Sequence, residues 1–423
     1  MSELVEITGI ASGGAGVGRL QDGRAVFVHR TAPGDRVRVR LIEDKKTWAR
    51  GSLVEILTAA TGRRVAPCKY YDRCGGCTLE HLTYDTQLAV KAQLVYDALT
   101  RIGKLQVDVP AVVGSPQEFR YRNRVSFTLL RLAKRVVAGF HEIDRAGRVM
   151  DIGPECLLPE PAIAEAWGEL REAWGPQASL LPSGSKLRLT LRVAGKGEVS
   201  LVVEGGYSAG RPEELLAAAR SIKSVWHRPR PDAPLTLLAG KAAIHESWQD
   251  EELDLSGSVF LQVNRAAAEL LEEHVLEVAG DVAGKKIVDG YCGVGLHARR
   301  LARMGASVTG IELDPLAIDE ARAAQVENTK FVCGRVEDEL PGQLPADLVI
   351  MNPPRAGIHE SALKSLNEKA ARRVIYISCN PATLARDLGR MRDRYRLASI
   401  RCFDLFPQTA HVETVVELQC ATM

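Results

Sequence analysis

Residues 1 to about 58 carry short apolar-rich runs, Glu6–Ile10, Ala25–Val28, Asp35–Leu41 and Ala49–Ile56, broken by Gly, Asp and Pro. Runs of this length between turn residues predict strands. Several such strands in so short a stretch predict a five-strand closed barrel of the oligonucleotide-binding type. Gly13-Gly14-Ala15-Gly16-Val17-Gly18 reads as turn chemistry and not as a phosphate loop, because no helical pattern follows it.

The pattern then changes twice. A Cys-rich stretch at 67–82 leads into helical periodicity from Tyr84 to Ile102, and a strand-rich stretch from Ala111 to Val203 is interrupted by a helix at Pro161–Trp174. From about Val259 helices and strands alternate. Phe260–Val278 and Leu296–Met304 read as helices. Lys286–Asp289, Ser307–Glu312, Thr329–Cys333, Leu348–Met351, Val374–Ser378, Ser399–Phe403 and Glu413–Leu418 read as strands. That alternation predicts an α/β domain built on a mainly parallel, doubly wound sheet. Three domains follow, 1–60, 61–255 and 256–423, with an α+β architecture for the central one.

Composition narrows the class. The chain has 423 residues, 46% hydrophobic and 26% charged, and a net charge of only +2. No apolar run approaches a membrane span and no secretory leader is legible, so a cytoplasmic, monomeric protein is expected, with its nine cysteines reduced. Charge is uneven: Arg120, Arg122, Arg124, Arg131, Lys134 and Arg135 lie close together, with Glu118 as the acid among them. Arg120, Arg122 and Arg124 recur at every second position, which puts them on one strand face suited to RNA phosphates, with Phe119 and Tyr121 on the other; a solvated strand face is the alternative.

Four strand ends in the last domain carry candidate chemistry. Asp289-Gly-Tyr-Cys-Gly293-Val-Gly295, between a strand and a helix, lets backbone approach a ligand closely. Glu312 ends the next strand, where a carboxylate holds a ribose diol in dinucleotide folds. The glycine order suits a nucleoside without pyrophosphate, such as S-adenosylmethionine; a structural glycine turn is the alternative. Asn352-Pro-Pro-Arg355 follows another strand. Ser378-Cys379-Asn380-Pro381 follows the next, with Asn380 as helix cap and Pro381 as first helical residue. A helix end beside Cys379 is expected to lower its thiol pKa, as a nucleophile requires, although a buried inert thiol is the commoner fate of a free cysteine. Elsewhere, Cys68, Cys74 and Cys77, with Cys156 as fourth, could bind zinc or a [4Fe–4S] cluster.

Tyr291-Cys-Gly-Val-Gly295, Asn352-Pro-Pro-Arg-Ala-Gly357, Ser378-Cys-Asn-Pro-Ala-Thr-Leu-Ala-Arg-Asp387 and His411-Val-Glu413 resemble, in order, the signature segments of the RNA uridine-5-methyltransferase family. The similarity spans nearly the whole chain. It implies a class I, Rossmann-like methyltransferase domain using S-adenosylmethionine, with Cys379 as nucleophile and Glu413 as the base that removes the carbon 5 proton; Glu417, on the same strand face, is its competitor. It implies cofactor or base contacts from Gln262, Tyr291, Gly293, Gly295, Glu312 and Asn352. It also implies a TRAM barrel that binds RNA, and a [4Fe–4S] cluster on Cys68, Cys74, Cys77 and Cys156. The substrate suggested by barrel and cysteines is 23S rRNA, with the transfer-RNA T-loop uridine second. One departure stands out: the family usually has Asp where this chain has Asn352, and Asn-Pro-Pro before an aromatic marks amino methylases. Two other readings remain, a non-catalytic RNA-binding iron–sulfur protein and amino methylation directed by Asn352.

Overall fold

The computed structural model describes every residue except Met1, Asp250, Ser258, Thr422 and Met423. The chain divides into two compact units, Met1–Val90 with Gln117–Ser258 and Pro407–Ala410, and Lys91–Pro116 with Val259–Phe406 and His411–Met423. No helix among the described residues is long and apolar enough to cross a membrane.

In the first unit the expected barrel is present and closed. Its strands run Ser2–Ile10, Gly16–Arg19, Ala25–Val28, Trp48–Thr58 and Arg36–Asp44 in spatial order around the barrel. Val5, Ile7, Val26, Val28, Val37 and Val39 fill it. One element departs from the sequence reading. Gly14 does turn, with φ +83°, but Gly16–Arg19 is a strand. Glycine is required there by close packing: a Cβ on Gly18 would lie 2.3 Å from Val5 and one on Gly16 1.9 Å from Thr31.

This unit also holds a seven-stranded sheet, to which Lys186–Val193 and Arg124–Arg131 are central, and a two-stranded sheet of Ile244–Trp248 and Glu251–Leu255. The helix Pro161–Ala173 covers it, stacking Trp167 on Phe127 with ring centroids 4.1 Å apart. The sheet extends beyond the stretch read as strands: Ile222–Arg228 and Thr236–Gly240 complete it, and Val199–Glu204 runs parallel to Ile222–Arg228 across the helix Pro212–Ala218.

The second unit holds the doubly wound sheet. In chain order its strands are β1 (Lys286–Gly290), β2 (Ser307–Glu312), β3 (Thr329–Cys333), β4 (Leu348–Met351), β5 (Arg373–Ser378), β6 (Tyr395–Phe403) and β7 (Glu413–Cys420). Their spatial order is β3-β2-β1-β4-β5-β7-β6, with Val112–Val113 on the far edge. The first five are parallel, and β7 inserts antiparallel between β5 and β6. Strand order reverses between β1 and β4, which opens a crevice at the carboxyl ends of those strands. The helix expected from Phe260 starts later, at Arg265, because Asn264 caps it by accepting from the Ala267 amide at 3.2 Å.

The stretch between β6 and β7 is tied down at its start by a fully buried ion pair. Lys91 donates to Asp404 and to the Phe406 carbonyl, the latter at 3.1 Å. Both side chains are inaccessible to solvent. Lys91→Met is expected to destabilise the protein by about 3–5 kcal/mol, because it strands a buried carboxylate. Adding Asp404→Asn should recover most of that loss. Denaturant titration of the single and double variants checks both expectations.

Candidate active site and a four-thiol pocket

β1 ends in a chain of tight backbone turns, with Tyr291, Gly293 and Gly295 at φ +63°, +55° and +77°. Space forbids side chains at two glycines here. A Cβ on Gly290 would meet Met351 at 2.8 Å, and one on Gly295 would meet Phe331 at 2.6 Å. Nothing lies within 4 Å of a Cβ built on Gly293, so that glycine faces open space. Its amide donates to Glu312 at 3.1 Å, while the other Glu312 oxygen accepts from the Leu313 and Asp314 amides. The Asn352 amide donates to the Gly290 carbonyl at 3.2 Å. Gly293, Glu312 and Asn352 therefore do come together at the switch point. Tyr291 is half-buried, and burial pushes its hydroxyl up to about 12. Gln262 is half-buried in the segment before the helix Arg265–Ala279.

Asp289, the last side chain before the turn, was not singled out in the sequence. Its carboxylate is fully buried and neither oxygen has a hydrogen-bond partner. Burial, with Glu312 nearby, pushes it up to about 7. The Ala298 amide opposes that rise, and a buried acceptor with so little bonding beneath a glycine turn can be completed by a ligand's donors. Its position in Lys286-Ile-Val-Asp-Gly290 was the available signal.

The second cluster forms at the ends of β5 and β7. The register pairing Ser378 with Thr414 brings Cys379 and Glu413 opposite each other just past the last bonded pair. Glu413 is only 4% exposed, and burial pushes its carboxyl up to about 7 against the pull of Arg355. The expected cap is in place: Asn380 accepts from the Ala382 amide at 3.1 Å and Pro381 opens the helix Pro381–Met391. The expected lowering of the Cys379 thiol is not found. Burial and then the facing Glu413 carboxylate push it up, and Arg355 opposes them.

Glu417 is excluded from this cluster by its own partner. Arg373 binds it at 2.8 Å and also caps the carbonyl of Ala279 at 2.9 Å. The loop carrying Arg355 is fastened to the cysteine helix instead. Asn380 and Thr383 both donate to the Arg355 carbonyl, at 3.1 and 3.2 Å. Buried Asp387 accepts from the Ile358 amide and the Tyr376 hydroxyl, at 2.9 and 2.8 Å.

In the first unit Cys68, Cys74, Cys77 and Cys156 line one cavity, walled by Tyr71, Phe119, Phe140 and Ile152. Burial raises all four thiols, and they repel one another when charged. Among the described residues no three His, Cys, Asp or Glu side chains close on a point that would hold a single metal ion. Arg30 donates to the carbonyls of Cys77 and Cys74, at 2.9 and 2.7 Å, and stacks on Tyr71 at 3.6 Å.

The arginine row is corrected by this region. The strand starts only at Arg124. Arg120 has φ +56° and donates to the Cys156 carbonyl at 2.7 Å; Arg122 turns to the Tyr121 hydroxyl at 3.3 Å. The cause is an irregular ribbon, in which the Arg120 and Arg122 amides bond to Leu157 and Leu158 instead of to a sheet neighbour. A regular row does exist on the barrel, where Arg36, Arg38 and Arg40 alternate with buried Val37 and Val39.

Comparison with known proteins agrees with both units. The family described as tRNA (Uracil-5-)-methyltransferase matches residues 328–421, the TRAM domain residues 3–54, and a general methyltransferase domain residues 288–353. An uncharacterized RNA methyltransferase of Thermosynechococcus vestitus is 35% identical, covering 98% of this chain and 97% of its own. One from Halalkalibacterium halodurans is 32% identical over 99% and 97%. The crystal structure of Pyrococcus abyssi tRNA (uracil-54, C5)-methyltransferase, in complex with S-adenosyl-L-homocysteine, superposes with a TM-score of 0.76 at 28% identity, covering 99% of this chain and all of that one. A TRAM barrel, a class I methyltransferase sheet and full-length relatives above 30% identity make this chain a member of the RNA uracil-5-methyltransferase family.

Proposed function

We propose that this enzyme transfers a methyl group from S-adenosylmethionine to carbon 5 of a uridine in RNA, with Cys379 as covalent nucleophile and Glu413 as base. The observation that carries this reading is the pairing of Cys379 with buried Glu413 across β5 and β7, while Glu417 is held by Arg373. The crevice residues fit the cofactor: the unpartnered Asp289 carboxylate, the open space at Gly293 and the Glu312 carboxylate offer acceptors and room beside β1. Gly293, Gly295, Glu312 and Asn352 would hold it, with Gln262 and Tyr291 at its margin.

Bound S-adenosylmethionine supplies an electrophilic methyl group. The protein's part is to make carbon 5 of uracil a nucleophile. The Cys379 thiolate adds to carbon 6, and the electron pair of the 5,6 double bond moves onto the O4 side as an enolate. Once carbon 5 is methylated, the Glu413 carboxylate takes its proton. The pair left behind re-forms the double bond and expels the Cys379 thiolate. A uridine must leave its stack to reach these groups. Asn352 sits beside the glycine turn through its amide and would contact cofactor or base there. A nucleophilic thiol has no task in amino methylation.

The four thiols fit an iron–sulfur cluster better than a zinc ion. Structural zinc sites more often carry two C-x-x-C pairs, and this chain has one, Cys74 with Cys77. A four-iron cube is wider and takes one thiolate at each corner, around a common cavity. Its role here is structural, holding the Cys68–Cys77 loop against Cys156. The substrate we favour is 23S rRNA, supported by the resemblance of barrel and cysteine quartet. The name of the Pyrococcus abyssi enzyme supports a second reading, the transfer-RNA T-loop uridine. RNA outside the target base would lie on Arg36, Arg38 and Arg40 of the barrel and on the Arg120–Arg124 segment, Arg122 included. Mass-spectrometric mapping of 5-methyluridine in rRNA and tRNA from cells lacking the protein decides between the substrates.

Cys379→Ala is expected to abolish methyl transfer while cofactor affinity stays within a few-fold. The wild type should form a denaturation-resistant adduct on 5-fluorouridine RNA. Equal loss of cofactor binding, or no adduct, would reject the covalent route.

Glu413→Gln should still add to uracil and pass the methyl group, then stall as a covalent complex with methylated RNA, visible on a denaturing gel. With the carboxyl at about 7, wild-type turnover should fall as pH drops below neutrality, because only the ionised form accepts a proton. Normal turnover by Glu413→Gln would move the base elsewhere.

Protein purified anaerobically should be brown and carry about four irons per chain. Cys74→Ala or Cys77→Ala should bleach it and Cys379→Ala should not. Metal analysis showing zinc instead would overturn this assignment.

A further inference from the structure

Glu413 is the first residue of β7, and the chain reaches it through residues 404–412, which form neither helix nor strand. Within that segment Gln408 is fully buried and left-handed, with φ +70°. Glutamine has no intrinsic preference for such a backbone, so the conformation persists only where the surroundings over-determine it. They do so within the first unit, to which Pro407–Ala410 belongs. The Gln408 amide donates to Gln87 Oε1 at 2.9 Å, and its carbonyl accepts from the Thr78 and Leu79 amides at 2.8 and 2.9 Å. Its side-chain oxygen accepts from Arg64 Nη2 at 2.8 Å and from Gln87 Nε2 at 2.9 Å. Its side-chain nitrogen donates to the Glu118 carbonyl and carboxylate, both at 3.2 Å. Arg64 closes the cluster by pairing with Glu118 at 2.8 Å. The preceding carbonyl, that of Pro407, accepts from the buried Tyr121 hydroxyl at 2.9 Å. Every polar group of Gln408 is therefore bonded, in backbone and side chain alike. Thr78 and Leu79 directly follow Cys77, so the thiol loop is one of the holds on this segment.

We infer that Gln408 is a positioning residue for the reaction: the buried polar cluster around it fixes the segment from which the chain enters β7, and so fixes where Glu413 meets carbon 5. The inference rests on the role proposed for Glu413 and adds to it what holds that base in place. Only Thr409, Ala410, His411 and Val412 separate the two residues. Thr409, Ala410 and Val412 are buried, and Val412 packs in the core of the second unit, so this short connection has little slack to absorb a displacement at its start. Cys379 does not depend on the segment. It follows β5 and is ordered by the helix Pro381–Met391. A loosened Gln408 therefore acts on one step. Addition of the thiolate to carbon 6 and methylation of carbon 5 go on, while removal of the carbon 5 proton, and with it re-formation of the double bond and expulsion of the thiolate, is slowed by a misplaced carboxylate.

The test separates release from addition, using the full-length protein. Gln408→Ala removes the side-chain bonds and leaves Arg64 and Glu118 to pair with each other. On 5-fluorouridine RNA, whose adduct cannot be released, the variant should form adduct at a rate within a few-fold of the wild type. On ordinary uridine RNA, release of the methylated product should slow by about tenfold to a hundredfold. A denaturation-resistant complex carrying the transferred methyl group should then accumulate, which the wild type does not build up. Gln87→Met leaves Gln408 in place but removes two of its bonds. It should show the same pattern more weakly, and it carries the test if Gln408→Ala does not fold. Melting temperature and S-adenosylmethionine affinity establish that a variant is folded. Release at the wild-type rate overturns the inference. So does equal slowing of addition and release, because that pattern belongs to a general loss of structure. A wild type that forms no adduct on 5-fluorouridine RNA overturns the covalent reading instead, and normal turnover by Glu413→Gln overturns the choice of base, so the failures are distinguishable.

Discussion

The antiparallel insertion of β7 beside β5 is the constraint on which the candidate chemistry depends. A parallel strand in that place would bring its amino end to the opposite edge of the sheet. Because β7 runs backwards, its first residue, Glu413, arrives where β5 ends and Cys379 begins. The same geometry carries a cost. In the proposed mechanism two groups that must both lose protons meet in a partly buried crevice, and Coulomb repulsion there is stronger than in solvent. Much of the surrounding bonding lowers that cost or fixes the parts: the Arg355 loop tied to the cysteine helix, Asp387 tied to both, and Arg373 keeping Glu417 out.

The cofactor side of the crevice follows a different logic. There the backbone does most of the work, with glycines packed so closely against Met351 and Phe331 that a side chain would not fit. Glu312 is already held by three amides, so it is oriented before any ligand arrives. Asp289 is the contrast, buried and without partners. Such a group is costly in the free protein and gains from a donor, which is the arrangement a binding site uses to select a ligand.

The thiol pocket shows how a polypeptide gathers four cysteines with little regular structure. Cys68, Cys74 and Cys77 sit on an irregular loop, and Cys156 comes from a distant turn. Arg30, from the barrel, holds the loop's carbonyls, and Arg120 holds the carbonyl of Cys156. The two arginines act on backbone and leave the sulfurs facing the cavity.

How much of this could be read beforehand depended on the range of the forces involved. The strands from Lys286 to Ser378 were legible nearly to the residue, since hydrophobic runs and turn residues are local signals. So were the barrel, the glycine turn and the Asn380 cap. The helix start at Arg265 was missed because an apolar run, Phe260–Val263, precedes a cap whose effect is local but easily masked by hydrophobicity. Alternation suggested one strand face for Arg120, Arg122 and Arg124, but bonding to the Leu157–Leu158 segment, far away in sequence, overrode it. The sequence by itself determined the strand-and-helix order, the residue types at each strand end and the family resemblance. Only the tertiary structure decided that burial and Glu413 raise the Cys379 thiol against the helix end, that Glu417 is occupied and that the Arg355 loop is fastened to the cysteine helix, because those depend on register, desolvation and partners that are distant in sequence.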